Sequence, residues 1–266
     1  MKTSKFNHPT VTGAFTWRHA ILVVIIFGSL LWMLSLEPIA QIAEYHSFAD
    51  TRKIIGIPNC FDVVSNLPFL AIGILGLRFC MRKDLGAVRV AWTVLFVGVG
   101  LVGVGSAYYH LAPTNESLVW DRLPMTIGFM GLFVALLGEY VDHRLATLLL
   151  VPTVMIGLAT VLYWHWTDDL RPYYWIQLVP LLTIPAVMVL FRSDYSHQWL
   201  LLFGLGWYVL AKVTELYDLS IFRNAQELVS GHSIKHLLAA VGCYSILLML
   251  QKRKVINSRG FGRALK

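Results

Sequence analysis

Charge and cysteine are what this sequence has least of. Of its 266 residues only 14% are Asp, Glu, Lys or Arg, against 57% hydrophobic, whereas a soluble domain carries about 25% charged residues. The shortfall excludes an ordinary soluble domain, because most side chains must face apolar surroundings on every side. Cys60, Cys80 and Cys243 are far apart and form no CxxC pair, which argues against a disulfide framework or a thiolate zinc site. Acidic residues are outnumbered 15 to 22 by basic ones. The basic residues stand at the ends of apolar runs, not in a stripe interleaved with aromatics, so nucleic acid is not the expected partner. There is no low-complexity tract and no clear internal repeat. No small-residue cleavage site follows a short apolar core near the N-terminus, so the stretch ending in Leu36-Glu37-Pro38 reads as a retained first span.

What is present is a series of long apolar runs, over about 19–36, 62–80, 90–109, 118–138, 145–164, 173–191, 199–215 and 232–250. Most reach the roughly 17–25 residues that cross a bilayer as a helix. The expected class is therefore all-α and polytopic. With eight spans, fifteen Lys and Arg fall on one side and seven on the other. The richer side takes Lys2, Lys5, Arg18, Arg82, Lys83 and the tail with Lys252, Arg259, Arg263 and Lys266. The positive-inside rule then puts both termini in the cytoplasm. The basic tail, 252–266, is expected to lie on the inner surface, drawn by anionic lipid. A small extramembrane turn or helix is expected between 218 and 231.

On this topology the polar residues gather at the outer end. Span three ends in Gly105-Ser106-Ala107-Tyr108-Tyr109-His110, and span four opens with Trp120-Asp121-Arg122. Span eight opens with Gly231-His232-Ser233-Ile234-Lys235-His236, and span two with Asn59-Cys60-Phe61-Asp62-Val63-Val64-Ser65-Asn66. Ionisable groups at membrane depth are costly, so they usually face the bundle interior and serve a function. His232 and His236 share one helix face about 6 Å apart along the axis, a spacing that lets two imidazoles hold one metal ion. His110 can add a third nitrogen, and Ser106 lies one turn before it. Three protein ligands and one open position are the arrangement of catalytic zinc. Plainer readings apply to each piece. Interfacial histidines can bond to loops or headgroups, Asp121 can pair with Arg122 or cap its helix, and Ser65 and Asn66 can bond across helices. Gly98, Gly100, Gly103 and Gly105 read as packing residues that let another helix approach. His8, His19, His143 and His197 fall on the inner side, and no spaced partner argues for His46 or His165.

Together these residues resemble the alkaline ceramidase family and its wider membrane-hydrolase superfamily, which includes adiponectin-receptor-like proteins. The shared pattern is Ser-x3-His, then Asp, then a C-terminal His-x3-His, here Ser106 and His110, Asp121, then His232 and His236. The stretch Asp62-Val63-Val64-Ser65-Asn66 is similar to the family's Asn-x-x-Ser-Asn opening, with Asp in the first place. The resemblance implies a seven-helix hydrolase bundle over 45–251, preceded by an additional first helix in 1–44. It implies zinc on His110, His232 and His236, with Asp121 as proton shuttle and Ser106 stabilising the oxyanion. It also implies a lipid substrate that arrives from the bilayer, with the amide of ceramide or a similar N-acyl lipid cleaved to a fatty acid and a long-chain amine. One departure is the family's N-terminal Asp-Trp-x-Glu type calcium motif, which is absent. The nearest oxygen donors, Glu44, Asp50, Asn59 and Asp62, are a thin set for an ion that takes six to eight oxygens. Two other classes use such residues. A lipid-sensing receptor-like protein would carry structural zinc on the same scaffold, but the inner loops are short. A metal transporter would place its polar residues near the midplane, whereas these cluster toward one face.

Overall fold

The computed structural model describes residues 15–256. Lys2, Lys5, His8, Arg259, Arg263 and Lys266 lie outside the described residues. The helices are α1 Trp17–Ser35, α2 Cys60–Val64, α3 Leu67–Arg82, α4 Arg89–Leu111, α5 Asn115–Tyr140, α6 His143–Leu148, α7 Leu150–Thr167, α8 Arg171–Leu190, α9 Trp199–Leu216, α10 Asp218–Asn224 and α11 Gly231–Lys252. Eight stretches are long and apolar enough to cross a membrane, with α2 and α3 together making one of them. The fold is the expected all-α polytopic one, and α10 is a short helix within the stretch 218–231.

Proline accounts for most irregularities. Span two breaks at Ser65 and Asn66 because Pro68, in the first turn of α3, has no N–H to continue the ladder of α2. The fifth span begins as α6 and restarts as α7 at Leu150, since the ring of Pro152 would meet the carbonyl of Leu148 in a continuous helix. Pro124 lies inside α5, so the carbonyl of Trp120 receives no helical hydrogen bond from it. The fourth span starts three residues before the sequence suggests. Thr114 and Ser117 form a reciprocal cap, with Ser117 N donating to Thr114 Oγ1 at 3.2 Å and Thr114 N to Ser117 Oγ at 3.0 Å.

The helices close into a ring. Helix α3 packs on α4, α4 on α5, and α5 on α7 and α8, while α9 packs on α11 and α11 returns to α3. Helix α8 touches α9 only lightly. Helix α5 is the most enclosed span, with 67% of its central window buried. The glycines of α4 set its spacing. A Cβ on Gly98 would strike the backbone of Gly128 in α5, and one on Gly105 would strike the Trp120 carbonyl. Helix α1 stands outside this ring and packs chiefly on α8. Trp175 Nε1 donates to the Ile26 carbonyl at 3.2 Å, and Arg171 Nη1 to the Leu34 carbonyl at 3.0 Å.

Candidate functional site

Three histidines from two helices meet at one end of the ring. His110 closes α4, and His232 and His236 occupy successive turns at the start of α11. One ring nitrogen from each lies within 4.8 Å of the other two, and all three residues are buried. Ring centroids are 4.9 Å apart for His110 and His232, 5.0 Å for His110 and His236, and 4.8 Å for His232 and His236. The i, i+4 spacing thus produces the shared face expected of it, and α4 delivers the third imidazole.

The neighbours fix how each ring presents itself. Ser65 Oγ donates to the Asp62 carbonyl at 3.0 Å and lies 2.8 Å from His236 Nδ1. A hydroxyl has one proton. With that proton on the Asp62 carbonyl, His236 Nδ1–H donates to Ser65, and His236 Nε2 keeps its lone pair. Lys235 Nζ, 3.1 Å from His232 Nε2, can only donate, so that nitrogen also carries a lone pair. His110 Nδ1 is buried without a hydrogen-bond partner. An orphaned buried nitrogen is costly unless something binds it. Three buried neutral imidazoles with free lone pairs fit a divalent transition metal. Lys235 is the group that such an ion would displace, and it already bonds Glu215 Oε1 at 2.8 Å.

Ser106 and Asp121 line a polar cavity of about 120 Å³ beside His236. Neither plain reading of Asp121 fits. The cap of α5 is Thr114, about two turns earlier, and among the described residues Asp121 forms no ion pair with Arg122. Ser65 does bond across helices, as the sequence suggests, and its partner is a histidine of the cluster.

Of the four oxygen donors considered for calcium, Asp50, Asn59 and Asp62 each hold other partners, although Asp62 Oδ2 is buried without one. Asp50 accepts from Arg52 Nε at 2.7 Å and from Arg52 Nη2 at 2.5 Å. This pairing raises the Arg52 guanidinium above its ordinary pKa. Asn59 Nδ2 donates to the His110 carbonyl at 2.8 Å. Asp62 Oδ1 accepts from Ser233 Oγ at 2.6 Å and Ser230 Oγ at 3.2 Å. These are tethers for the histidine-bearing segments. A guanidinium beside Asp50 and two hydroxyls on Asp62 do not fit a calcium cage, which needs several free oxygens.

Sequence reasoning missed several supporting residues. Phe48 packs edge-on and tilted against the cluster, its ring centroid 4.7 Å from that of His110 and 4.6 Å from that of His232. His46 Nδ1 meets Tyr109 Oη at 2.9 Å. Asp218 Oδ1 accepts from His232 N at 2.8 Å, and its Oδ2 from Ala49 N at 2.9 Å. All three lie in or bind the irregular segment between α1 and α2, where no periodicity marks a function.

The sequence profile of the ceramidase family matches residues 55–260. None of the curated proteins compared matches the chain. The profile spans seven of the eight membrane-crossing stretches and leaves out α1. The chain therefore belongs to the ceramidase family, which supports a ceramide-hydrolysing, membrane-embedded amidohydrolase acting on lipid.

Proposed function

We propose that the chain is a zinc-dependent hydrolase that cleaves the linear amide of ceramide or a closely similar N-acyl lipid within the bundle. The observation that carries this reading is the buried cluster of His110, His232 and His236, with Asp121 and Ser106 on the cavity beside it. Zinc held by the three imidazoles would supply Lewis-acid chemistry, lowering the pKa of water and polarising the amide carbonyl. The chain's own residues do the rest. Asp121 takes the proton released as water adds to the carbonyl carbon and returns it to the nitrogen as the C–N bond breaks. The products are a fatty acid and a long-chain amine. The Ser106 hydroxyl donates to the oxygen on which negative charge develops. Ser65 holds the His236 ring in the tautomer that leaves Nε2 free.

The surroundings suit a lipid. An apolar cavity of about 140 Å³ shares Phe69, Val102, Met125, Tyr208 and Ala239 with the polar one, so chain methylenes can continue from the amide into the bundle. The light packing between α8 and α9, spanned by a 3.2 Å hydrogen bond from Tyr208 Oη to Gln177 Oε1, favours lateral arrival from the bilayer. We place the site toward the periplasmic, exterior or lumenal side and both termini in the cytoplasm, on the Lys and Arg bias alone. In this reading 45–251 is the hydrolase unit, 1–44 an appended segment with α1, and 252–266 a basic tail. Calcium has no part in it.

The test is metal content and turnover together. His110→Ala and His236→Ala should each abolish stoichiometric zinc in elemental analysis and reduce ceramide hydrolysis at least a thousandfold. Undiminished hydrolysis by a thoroughly metal-stripped preparation would overturn the zinc assignment. Zinc retained without any lipid turnover would favour the receptor-like alternative.

A further inference from the structure

The polar cavity holds more positive charge than the amide chemistry uses. Arg122 lines it together with Lys212 and Lys235, and the carboxylates on the same wall are Asp121 and Glu215. Glu215 is already shared between both lysines, accepting from Lys212 Nζ at 2.8 Å and Lys235 Nζ at 2.8 Å. Arg122 is only 3% exposed. Among the described residues no carboxylate lies within ion-pair distance of it. Its Nη2 donates to the neutral Gln41 Oε1 at 2.6 Å, and its Nη1 is buried without a partner. Stacking offsets part of the cost, since the guanidinium carbon lies 4.0 Å from the Trp164 ring centroid and 4.8 Å from that of Tyr173. Stacked aromatics hold the fork rigid without satisfying its donors.

A buried guanidinium cannot shed its proton, so it needs an anion, and its planar fork matches the paired oxygens of carboxylate or phosphate. Neutral ceramide brings hydroxyls and an amide, none of which balances that charge. The only other carboxylate facing the cavity, Asp121, is assigned to proton transfer.

We propose that Arg122, backed by Lys212 and Lys235, forms an anion subsite for the substrate's polar end. The substrate is then an N-acyl lipid whose amine portion carries a phosphate or other oxyanion within a few bonds of the scissile amide. This proposal rests on the hydrolase reading above and narrows its substrate class. Balance is unchanged: water adds to the acyl carbon, the C–N bond breaks, and the anion leaves with the amine product.

The test uses zinc-loaded, full-length protein in neutral maltoside micelles, with ceramide and its 1-phosphate of identical chains. The wild type should hydrolyse the phosphorylated lipid with at least tenfold higher kcat/KM. Arg122→Gln should lower that preference at least tenfold, whatever its effect on overall rate. Dodecyl phosphate binding, followed by calorimetry and by the fluorescence of the adjacent Trp164, should weaken at least tenfold in the same variant. If Arg122→Gln does not fold, the wild-type preference and the binding loss in Lys212→Gln decide the matter. Equal or faster turnover of neutral ceramide overturns this proposal and leaves the hydrolase reading standing. Arg122-dependent dodecyl phosphate binding without a preference for phosphorylated ceramide assigns the subsite to the fatty-acid product and also overturns it. If neither lipid is cleaved, the hydrolase reading fails, and the dodecyl phosphate measurement alone decides whether an anion subsite exists.

Discussion

The two ends of α5 handle buried charge in opposite ways. Near its last turn Glu139 accepts from Arg253 Nη1 and from Trp92 Nε1 through the same oxygen, and Arg253 also stacks on Tyr195. About 27 Å away along the helix, Asp121 and Arg122 stand side by side without an ion pair. The far end closes on itself. Chain beyond Arg253 runs back along the α8–α9 loop, with Ser196 N donating to the Lys254 carbonyl and Ile256 N to that of Asp194, each at 2.9 Å. At the histidine end His110 Nδ1, Arg122 Nη1, Asp62 Oδ2 and Asn66 Oδ1 are all buried and unpartnered; at the far end Glu139 Oε2 is unpartnered too, but the charge of its carboxylate is matched by Arg253. Matched charge holds helices together, whereas unmatched charge is retained where a ligand completes it.

That contrast breaks most sharply at Asp121. Asp121→Asn should lower lipid turnover by about 10²–10⁴ while leaving zinc content intact. Because it removes a half-buried carboxylate that has no ion-pair partner among the described residues, its thermal midpoint in detergent should match or exceed that of the wild type. A variant that loses stability in step with activity would show Asp121 to be a structural group like Glu139.

Arg253→Met is the converse. Stranding the Glu139 carboxylate should cost about 3–5 kcal/mol of stability, read as a lower unfolding midpoint. The protein that remains folded should keep its zinc and its turnover per molecule. Adding Glu139→Gln should restore much of the loss, since it removes the charge left behind. Loss of zinc in the folded fraction would mean that the two ends are coupled, contrary to their separation along α5.

The sequence announces the two ends unequally. Long apolar runs reveal the eight spans, because a run of about 20 residues this poor in charge is the mark of a bilayer-crossing helix. The four-residue spacings of Ser106 with His110 and of His232 with His236 are legible because a helix turns spacing into a shared face. That α4 and α11 meet is not legible, since it depends on which helices are neighbours in the ring. The tethers are hidden for a related reason. Asp218 of α10 reaches Ala49, and Phe48 reaches His110, at a segment between α1 and α2 that holds a short 3₁₀ turn. Breaks inside spans two and five are readable in retrospect from Pro68 and Pro152, although each apolar run looks continuous. Arg122 is visible in the sequence, but its missing partner is a tertiary fact.

Ser65 sits between the two regimes and should give the smallest effect. It is polar and buried like the site residues, yet its hydrogen bonds are complete like those of the far end. One proton goes to the Asp62 carbonyl and one is received from His236 Nδ1. Ser65→Ala removes the acceptor that holds the imidazole in its metal-ready tautomer and leaves every ligand nitrogen in place. Loss of such a partner typically weakens metal affinity by about 10–100-fold. The expected result is therefore a zinc dissociation constant raised by that factor in competition with a chelator, with full occupancy and near-normal turnover restored by excess zinc. Ser65→Thr keeps a hydroxyl in nearly the same position and should recover most of the affinity. If Ser65→Ala instead unfolds the protein without changing zinc affinity, Ser65 is a helix-packing residue, and the boundary between matched and unmatched charge lies between Ser65 and the histidines.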